Sequence, residues 1–485
     1  MDAADARIPE LLSLRSALYS QEFRDFVREV TGCGPLSDRV DCSCNLYTRG
    51  GHLLCHDDVI GTRRVSYIVY LAEPEEGWTA EDGGALELFP LAVPGCPGEP
   101  AIAPSKGLLP LWNSMALFTV QPGVSFHAVQ EVFNDRKLRL SISGWYHAAD
   151  APQDMPLASL SQLQARGSDD VGAGAFAPIS GLPAPADGAS CSDALAPPEL
   201  SAAEQALLAS WVSPEYLEAG AQAGVARQFL RNSSVQLRAF LLPCRAQQIA
   251  LAAAQADAVD ALGGGRAPGS YAAGETAGWA AVGPPHKQRF LAFTPPTATA
   301  TFTAAASPGP HAACGAALHS LRRDLLASPA FAKLLWRLTA LRCTACRSLA
   351  RRFRPGLDYT VAHYGVLTGE RSLLDASIAF VDDSSEEKAA LWDSGDCGAF
   401  ECYLQAEQSA DGEPLPAADV YKAREEEEGG EEDDLLSISA AANTLSLVHR
   451  HVLYLSSVCL SVCLLPLSLL GRASIPRRTP ACSVS

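Results

Sequence analysis

The sequence predicts a mainly β protein with flanking helices, its short strands gathered into a sandwich or small barrel. Three observations lead there. Apolar residues at helical spacing open the chain. Short runs rich in β-branched and aromatic residues follow, divided by Gly, Pro, Asn and Asp. The same order, helix first and strands after, returns in the second half. A chain of 485 residues allows two to four domains at roughly 100–200 residues each.

From residue 8, Leu11, Leu12, Leu14, Leu18, Phe23, Phe26 and Val27 recur at three-to-four spacing, and Gly32 and Gly34 close the segment. The strand-like runs are VSYIVYLA (65–72), ALELF (85–89), MALFTV (115–120), VSFHAV (124–129) and LRLSISGWYH (138–147). The first domain therefore spans 1–150. Residues 151–200, dominated by Pro, Ala, Ser and Gly, read as a linker. Helical spacing resumes at SAAEQALLASWVSPEYLEAG and continues to VQLRAFLLP. Ala/Gly/Pro-rich stretches at about 251–278 and 293–316 predict a low-complexity insertion or disordered loop over 251–316. LRRDLLASPAFAKLLWRLTALR (321–342) predicts a helix, and DYTVAHYGV, LLDASIAFVDD, FECYLQAE and TLSLVHR predict strands. The second domain spans 201–450.

Charge narrows the function classes. With 37 basic and 55 acidic residues the net charge is −18, which disfavours a general nucleic-acid binder because a polyanion is repelled over most of the surface. Eight acids stand between Glu425 and Asp434, inside a predicted loop at 407–434. Fifteen cysteines accompany no secretory signal, so the thiols read as reduced and the compartment as cytoplasmic or nuclear. Cys343 and Cys346 form one C-x-x-C without a second, in a stretch that reads as helix, so they are taken as ordinary helix cysteines. The uncharged run 452–470 has the length of a membrane span, but its serines and Pro466 argue against a tail anchor.

The chemistry concentrates at His56-Asp57-Asp58. Strand alternation would project His56 and Asp58 to one side and turn Asp57 away. His127 stands in another strand-like run 71 residues later. Two histidines and a carboxylate on one face of a metal suit non-haem iron(II) and leave positions open. Arg139 and Ser141 share a strand face. A buried arginine there needs an anion, which a dicarboxylate cosubstrate would supply in a bidentate pair, with the Ser141 hydroxyl beside it. Tyr70 could donate its phenol to the same carboxylate. Each of these residues alone has a bland reading as hydrogen-bonded or core side chain; their combination carries the inference.

H-x-D, a later His and R-x-S twelve residues on resemble the Fe(II)/2-oxoglutarate-dependent oxygenases. LLCHDD, VSYIVYL, GGALELF, LWNSMALFTV, VSFHAVQEV and RLSISGWYH resemble, more narrowly, the ribosomal prolyl hydroxylase branch. The likeness is strong over residues 10–150 and weaker through WVSPEYL, GWAAVGPPHKQRF, DYTVAH, CGAFECYL and NTLSLVHR. It implies a double-stranded β-helix (jelly-roll) catalytic domain and a second, degenerate one without metal; His363-Tyr364-Gly365 indeed lacks the H-x-D. It further implies Fe(2+) held by His56, Asp58 and His127, 2-oxoglutarate held by Tyr70 and Arg139, dioxygen as oxidant and L-ascorbate as a supporting reductant. The implied reaction couples decarboxylation of the cosubstrate to hydroxylation of a prolyl C–H bond, with a small-subunit ribosomal protein as substrate and translation termination factors as partners. A non-catalytic scaffold built on the second domain is the alternative.

Two departures from the family pattern stand out. The helical lead-in is short, which predicts a truncated start. After LSLVHR an apolar tail (451–485) replaces the expected strands, which predicts a gene-model artefact.

Overall fold

The computed structural model describes residues 8–150, 176–179, 197–262, 269–276, 278–295, 309–360, 372–394, 401–403, 436–450 and 458–465. It divides into two units, one comprising Met1–Ala165, Gly283–Gln288 and Ala473–Ser485, the other Arg166–Val282 and Arg289–Arg472.

The predicted opening helix is two helices, α1 (Pro9–Leu18) and α2 (Gln21–Thr31). Ser20 divides them, its hydroxyl accepting the Phe23 N–H at 3.1 Å as an N-cap. Gly32 ends α2 in the left-handed region, φ 66°. Leu18 and Val27 are buried with Val40, Val65, Tyr67, Ile142 and Tyr146, so the helices cover one face of a sheet.

Eight strands make the first unit: β1 (Ser43–Tyr47), β2 (Leu53–His56), β3 (Arg63–Tyr70), β4 (Leu86–Leu88), β5 (Lys106–Leu108), β6 (Ser114–Thr119), β7 (His127–Val129) and β8 (Arg139–His147). They form two four-stranded antiparallel sheets, ordered β1-β8-β3-β6 and β2-β7-β4-β5. Apart from the β4–β5 hairpin, which stays within one sheet, successive strands alternate between sheets in the jelly-roll manner of a double-stranded β-helix. The sequence runs locate β3, β4, β6 and β8 closely. VSFHAV shortens to three residues because 121–125 turns, with the Val124 N–H and the Ser125 hydroxyl both donating to the Gln121 carbonyl.

In the second unit β9 (Ala177–Pro178) pairs with β13, so one piece of the predicted linker is strand. Then come α3 (Ala202–Ala209), α4 (Ala219–Asn232), β10 (Ser234–Leu237), α5 (Pro243–Val259), β11 (Trp279–Val282), β12 (Gln288–Phe293), α6 (Pro310–Ser320), a π-helical turn (Leu321–Leu326), α7 (Pro329–Thr339), β13 (Cys343–Arg352), β14 (Tyr359–Thr360), β15 (Ser372–Ala379), α8 (Glu386–Asp393), β16 (Glu401–Tyr403), β17 (Leu436–Ile438), β18 (Thr444–Arg450) and β19 (Val458–Leu465). The main sheet runs β10-β18-β15-β19-β13-β12-β11, and β16 and β17 pair as a separate two-stranded ribbon.

Three expectations are corrected here. VQL belongs to strand β10, since Ser233 at φ 54° stops α4. The alanine-rich segment is ordered in part: α5 and α6 take up 251–259 and 310–316 of it, because alanine is the strongest helix former and small enough to pack closely, with Ala253 and Ala256 fully buried. Cys343 and Cys346 lie in strand β13 rather than a helix. Part of the apolar tail is strand β19, parallel to both β13 and β15. No helix among the described residues is long and apolar enough to cross a membrane. The acidic run 425–434 and His363 lie outside the described residues.

The core of this unit joins Trp211, Phe229, Phe240, Phe331, Leu335, Ile378 and Leu445. It also buries charge in pairs. Arg352, 0% exposed, meets Asp257 and Asp260, while Arg354 grips Asp358. Such groups survive burial only when paired.

Candidate metal centre

β2 ends at His56, and β7 begins at His127 directly opposite it in register. The antiparallel pairing of these two strands brings the imidazoles to 4.3 Å between ring centres, although 71 residues separate them in sequence. His56 Nδ1 meets the Leu54 carbonyl at 2.7 Å and His127 Nδ1 meets the Ser125 carbonyl at 2.8 Å. A carbonyl can only accept, so both Nδ1 atoms carry hydrogen and each Nε2 is left to ligate.

Asp58 completes the set by a route other than strand alternation. The strand has stopped at His56, and Asp58 takes φ 62°, an uncommon backbone for a residue with a side chain. This turn sends its carboxylate to both histidines, Oδ1 at 3.2 Å from His56 Nε2 and Oδ2 at 3.4 Å from His127 Nε2. One ligand atom from each of the three lies within 4.8 Å of the others, and this is the only such cluster among the described residues. Two imidazole nitrogens with their tautomers fixed, plus one carboxylate, fit a non-haem iron(II) ion. Burial works against ionising Asp58, but the bonds to His127 and His56 outweigh it and hold the carboxyl well below the usual range. Burial likewise opposes charge on His56, and Asp58 overcomes this to raise its pKa.

The middle residue of the motif is not turned out to solvent. Asp57 is 1% exposed and its carboxylate accepts the Val59 N–H at 3.3 Å and the Gly123 N–H at 3.0 Å. The Ser125 hydroxyl donates to the Asp57 carbonyl at 2.8 Å. Asp57 therefore ties the H-x-D turn to the turn that delivers His127. Phe118 sets its ring edge-on to His127.

Arg139, Tyr70 and Ser141 come together as the sequence predicts, with Tyr70 opposite Ser141 in the β3–β8 register. All three are buried, Arg139 to 1% exposure. Arg139 Nε donates to the Gly84 carbonyl at 2.7 Å, while its Nη2 and the Tyr70 hydroxyl are buried with no hydrogen-bond partner. Orphaned buried donors are costly, so an unpaired guanidinium nitrogen beside an unpaired phenol defines a slot for an anionic group. Tyr47 stacks its ring near the Arg139 guanidinium, 4.9 Å away. Burial raises the Tyr70 pKa against the opposing pull of Arg139, so the phenol keeps its donor hydrogen.

Three side chains of this site escape the sequence reading: Asp57, Tyr47 and Trp145. Trp145 Nε1 donates to Asp58 Oδ2, and the Arg63 guanidinium lies over the Trp145 ring. Its signal was present, because strand alternation places Trp145 on the face of Arg139, Ser141 and Ser143.

The family described as 2OG-Fe(II) oxygenase superfamily matches residues 42–147, the span that holds every residue of this site. The family described as oxoglutarate and iron-dependent oxygenase degradation C-term matches residues 203–457. Prolyl 3,4-dihydroxylase OGFOD1 of Ostreococcus tauri is 38% identical over 448 residues, covering 92% of this chain and 79% of that protein. Prolyl 3-hydroxylase OGFOD1 of Xenopus laevis is 33% identical over 251 residues, 52% of this chain and 41% of that protein. Among solved structures, a Pseudomonas putida prolyl-4-hydroxylase is 26% identical, with a TM-score of 0.20 over 26% of this chain and 62% of the other.

Proposed function

The chain belongs to the prolyl hydroxylase branch of the 2-oxoglutarate- and iron(II)-dependent oxygenases, and from that premise we propose that its target is a proline of a small-subunit ribosomal protein. It is a 2-oxoglutarate-dependent prolyl hydroxylase using Fe(2+), 2-oxoglutarate and dioxygen, and its substrate is a protein bearing proline. The ribosomal assignment draws on the sequence resemblance and on charge, since a chain of net charge −18 suits a basic partner. A ribosomal substrate goes with a cytoplasmic or nuclear location, an effect on translation termination or fidelity, and termination factors as partners. L-Ascorbate would serve as the reductant that keeps iron in the ferrous state.

The observation that carries the site is the convergence of His56 Nε2, His127 Nε2 and Asp58 within one coordination sphere, beside the unpartnered Tyr70 hydroxyl and Arg139 Nη2. Bound iron(II) supplies open positions for the keto acid and dioxygen. His56, His127 and Asp58 would hold it, with the Leu54 and Ser125 carbonyls fixing the two tautomers. Arg139 and Tyr70 would receive the cosubstrate's remote carboxylate, one by charge and the other by hydrogen bond, with Ser141 alongside. These contacts would orient the cosubstrate.

Succinate formation by the full chain with iron(II), 2-oxoglutarate and proline-bearing peptides from small-subunit proteins tests this reading. A mass gain of one oxygen atom on one proline is expected, lost in His127→Ala. Turnover unaffected by His127→Ala would refute the iron assignment, and turnover only on non-ribosomal peptides would refute the substrate. The degenerate second domain that the sequence resemblance implies would serve as a binding surface for the substrate or its partners. Deleting residues 200–485 should then abolish peptide hydroxylation while 2-oxoglutarate oxidation survives.

A further inference from the structure

We propose that Asp82 and Lys137 clamp two loops together and thereby set the position of Arg139, making them positioning residues for the dicarboxylate cosubstrate. The inference rests on the reading of Arg139 as the carboxylate anchor.

One loop, 77–84, leads into β4; the other, 133–137, leads into β8, whose first residue is Arg139. Asp82 is 5% exposed and joins them. Its Oδ2 accepts from the Thr79 N–H at 2.8 Å, the Thr79 hydroxyl at 3.0 Å and Lys137 Nζ at 3.0 Å. Its Oδ1 accepts from Asn134 Nδ2 at 2.6 Å, and its backbone carbonyl accepts the Phe133 N–H at 2.8 Å. Lys137 Nζ also donates to the Gly77 carbonyl at 2.9 Å, closing the tie from the other side. Asn134 Oδ1 in turn accepts the N–H groups of Arg136 and Lys137, so the second loop is held internally as well. Burial disfavours a charged Asp82, yet these donors prevail and keep its carboxyl below the ordinary value.

The clamp sits immediately beside the anchor at both ends. Two residues after Asp82, Gly84 donates its N–H to the Glu131 carbonyl at 3.0 Å and receives Arg139 Nε at 2.7 Å. Two residues after Lys137 comes Arg139 itself. Gly83 and Gly84 both have positive φ, 73° and 66°, and a methyl group on Gly84 would lie 2.8 Å from Arg139 Cδ. The Gly84 carbonyl thus fixes the guanidinium by its Nε and leaves Nη2 unpartnered. Whatever moves loop 77–84 moves that carbonyl, and the guanidinium plane turns with it.

A shift of this anchor changes where the remote carboxylate can sit, so the reach of the pocket changes with it. The test compares the full chain with Lys137→Met, Lys137→Arg, Asp82→Asn and Arg139→Lys, measuring KM for 2-oxoglutarate and for its one-carbon-longer homologue 2-oxoadipate, kcat at saturating cosubstrate, and iron(II) affinity. Lys137→Met and Asp82→Asn should raise KM for 2-oxoglutarate on the order of ten-fold and narrow the preference over 2-oxoadipate, with kcat and iron affinity near wild type. Lys137→Arg, which keeps the charge, should restore most of the affinity. Should Asp82→Asn fail to fold, Asn134→Ala at the part-exposed turn makes the same comparison.

Folded variants that lose kcat with an unchanged KM and an unchanged cosubstrate preference would reduce the clamp to scaffolding and overturn the inference. An unchanged KM in Arg139→Lys as well would overturn the anchor reading beneath it.

Discussion

Trp145 Nε1 donates to Asp58 Oδ2 at 3.0 Å, so the carboxylate facing both histidines is also held from β8, a strand of the opposite sheet. The Arg63 guanidinium lies 3.4 Å from the Trp145 ring centre and fixes the indole in turn. With one carboxylate oxygen engaged by the indole, Oδ1 is the better placed to ligate. Trp145→Phe keeps the stacked ring and removes the donor. Outer contacts of this kind are worth roughly 10–100-fold in metal affinity. Anaerobic titration with iron(II) should therefore show at least a ten-fold weaker site, and an unchanged affinity would mean that the indole only packs.

On the proposed reading Tyr70 and Arg139 divide the work of holding the cosubstrate, so their variants should differ in degree and share a pattern. Tyr70→Phe removes one hydrogen bond to a charged group, about 1.5–3 kcal/mol, and should raise KM for 2-oxoglutarate on the order of ten-fold or more. Arg139→Ala removes the charge and should raise it further. Iron(II) affinity should hold in both variants, because neither side chain belongs to the ligand set. A parallel loss of iron would place the anion slot elsewhere.

Glu131 gives the first unit a pH dependence unrelated to the metal. Burial raises its pKa to about 7 from an ordinary 4.5, with Arg49 opposing. A carboxyl whose folded pKa is raised binds its proton more tightly when folded, so the stability is full below the ordinary value and is lost as pH climbs through the raised one. The loss should approach about 3 kcal/mol, spread between pH 4.5 and about 7. Glu131→Gln cannot titrate and should flatten that slope in denaturant melts run at pH 5, 6, 7 and 8. Identical slopes for the two proteins would show that Glu131 is solvated when folded.

The site was more legible in the sequence than the fold that carries it. His56, Asp58, His127, Tyr70, Arg139 and Ser141 are chemically marked residues at readable spacing, and the structure brings each to the centre or its anion slot. The reason given for Asp58 was incomplete, since a left-handed turn rather than alternation directs it. No local pattern announces such a turn here, because the groups that meet the Asp58 carboxylate, His56, His127 and Trp145, come together only in the folded sheets. The tie made by Asp57 was not legible for a like reason: the sequence turns it away from the pair, but its partner Gly123 is 66 residues away, and alternation does not say what a residue beyond the strand end meets. Short strands such as β5, three residues including Lys106, are stabilised by their neighbours in the sheet and carry no pattern of their own.

The alanine-rich stretch supplies the sharpest contrast between composition and structure. Read as low complexity, it makes every position in 251–259 equally tolerant. Within α5, however, Ala253 is fully buried in the core of the second unit while Leu251, two residues earlier, is 61% exposed. Ala253→Gly removes a buried methyl worth about 0.8 kcal/mol and costs about 1 kcal/mol in helix propensity. Leu251→Ala removes three carbons from a solvated face and gains propensity, so its effect should stay within about 0.5 kcal/mol. The larger residue is therefore the expendable one. Denaturant unfolding of the full chain, read at the transition of the second unit, should move by about 2 kcal/mol for Ala253→Gly and hardly at all for Leu251→Ala; equal, negligible shifts would return the segment to a loop.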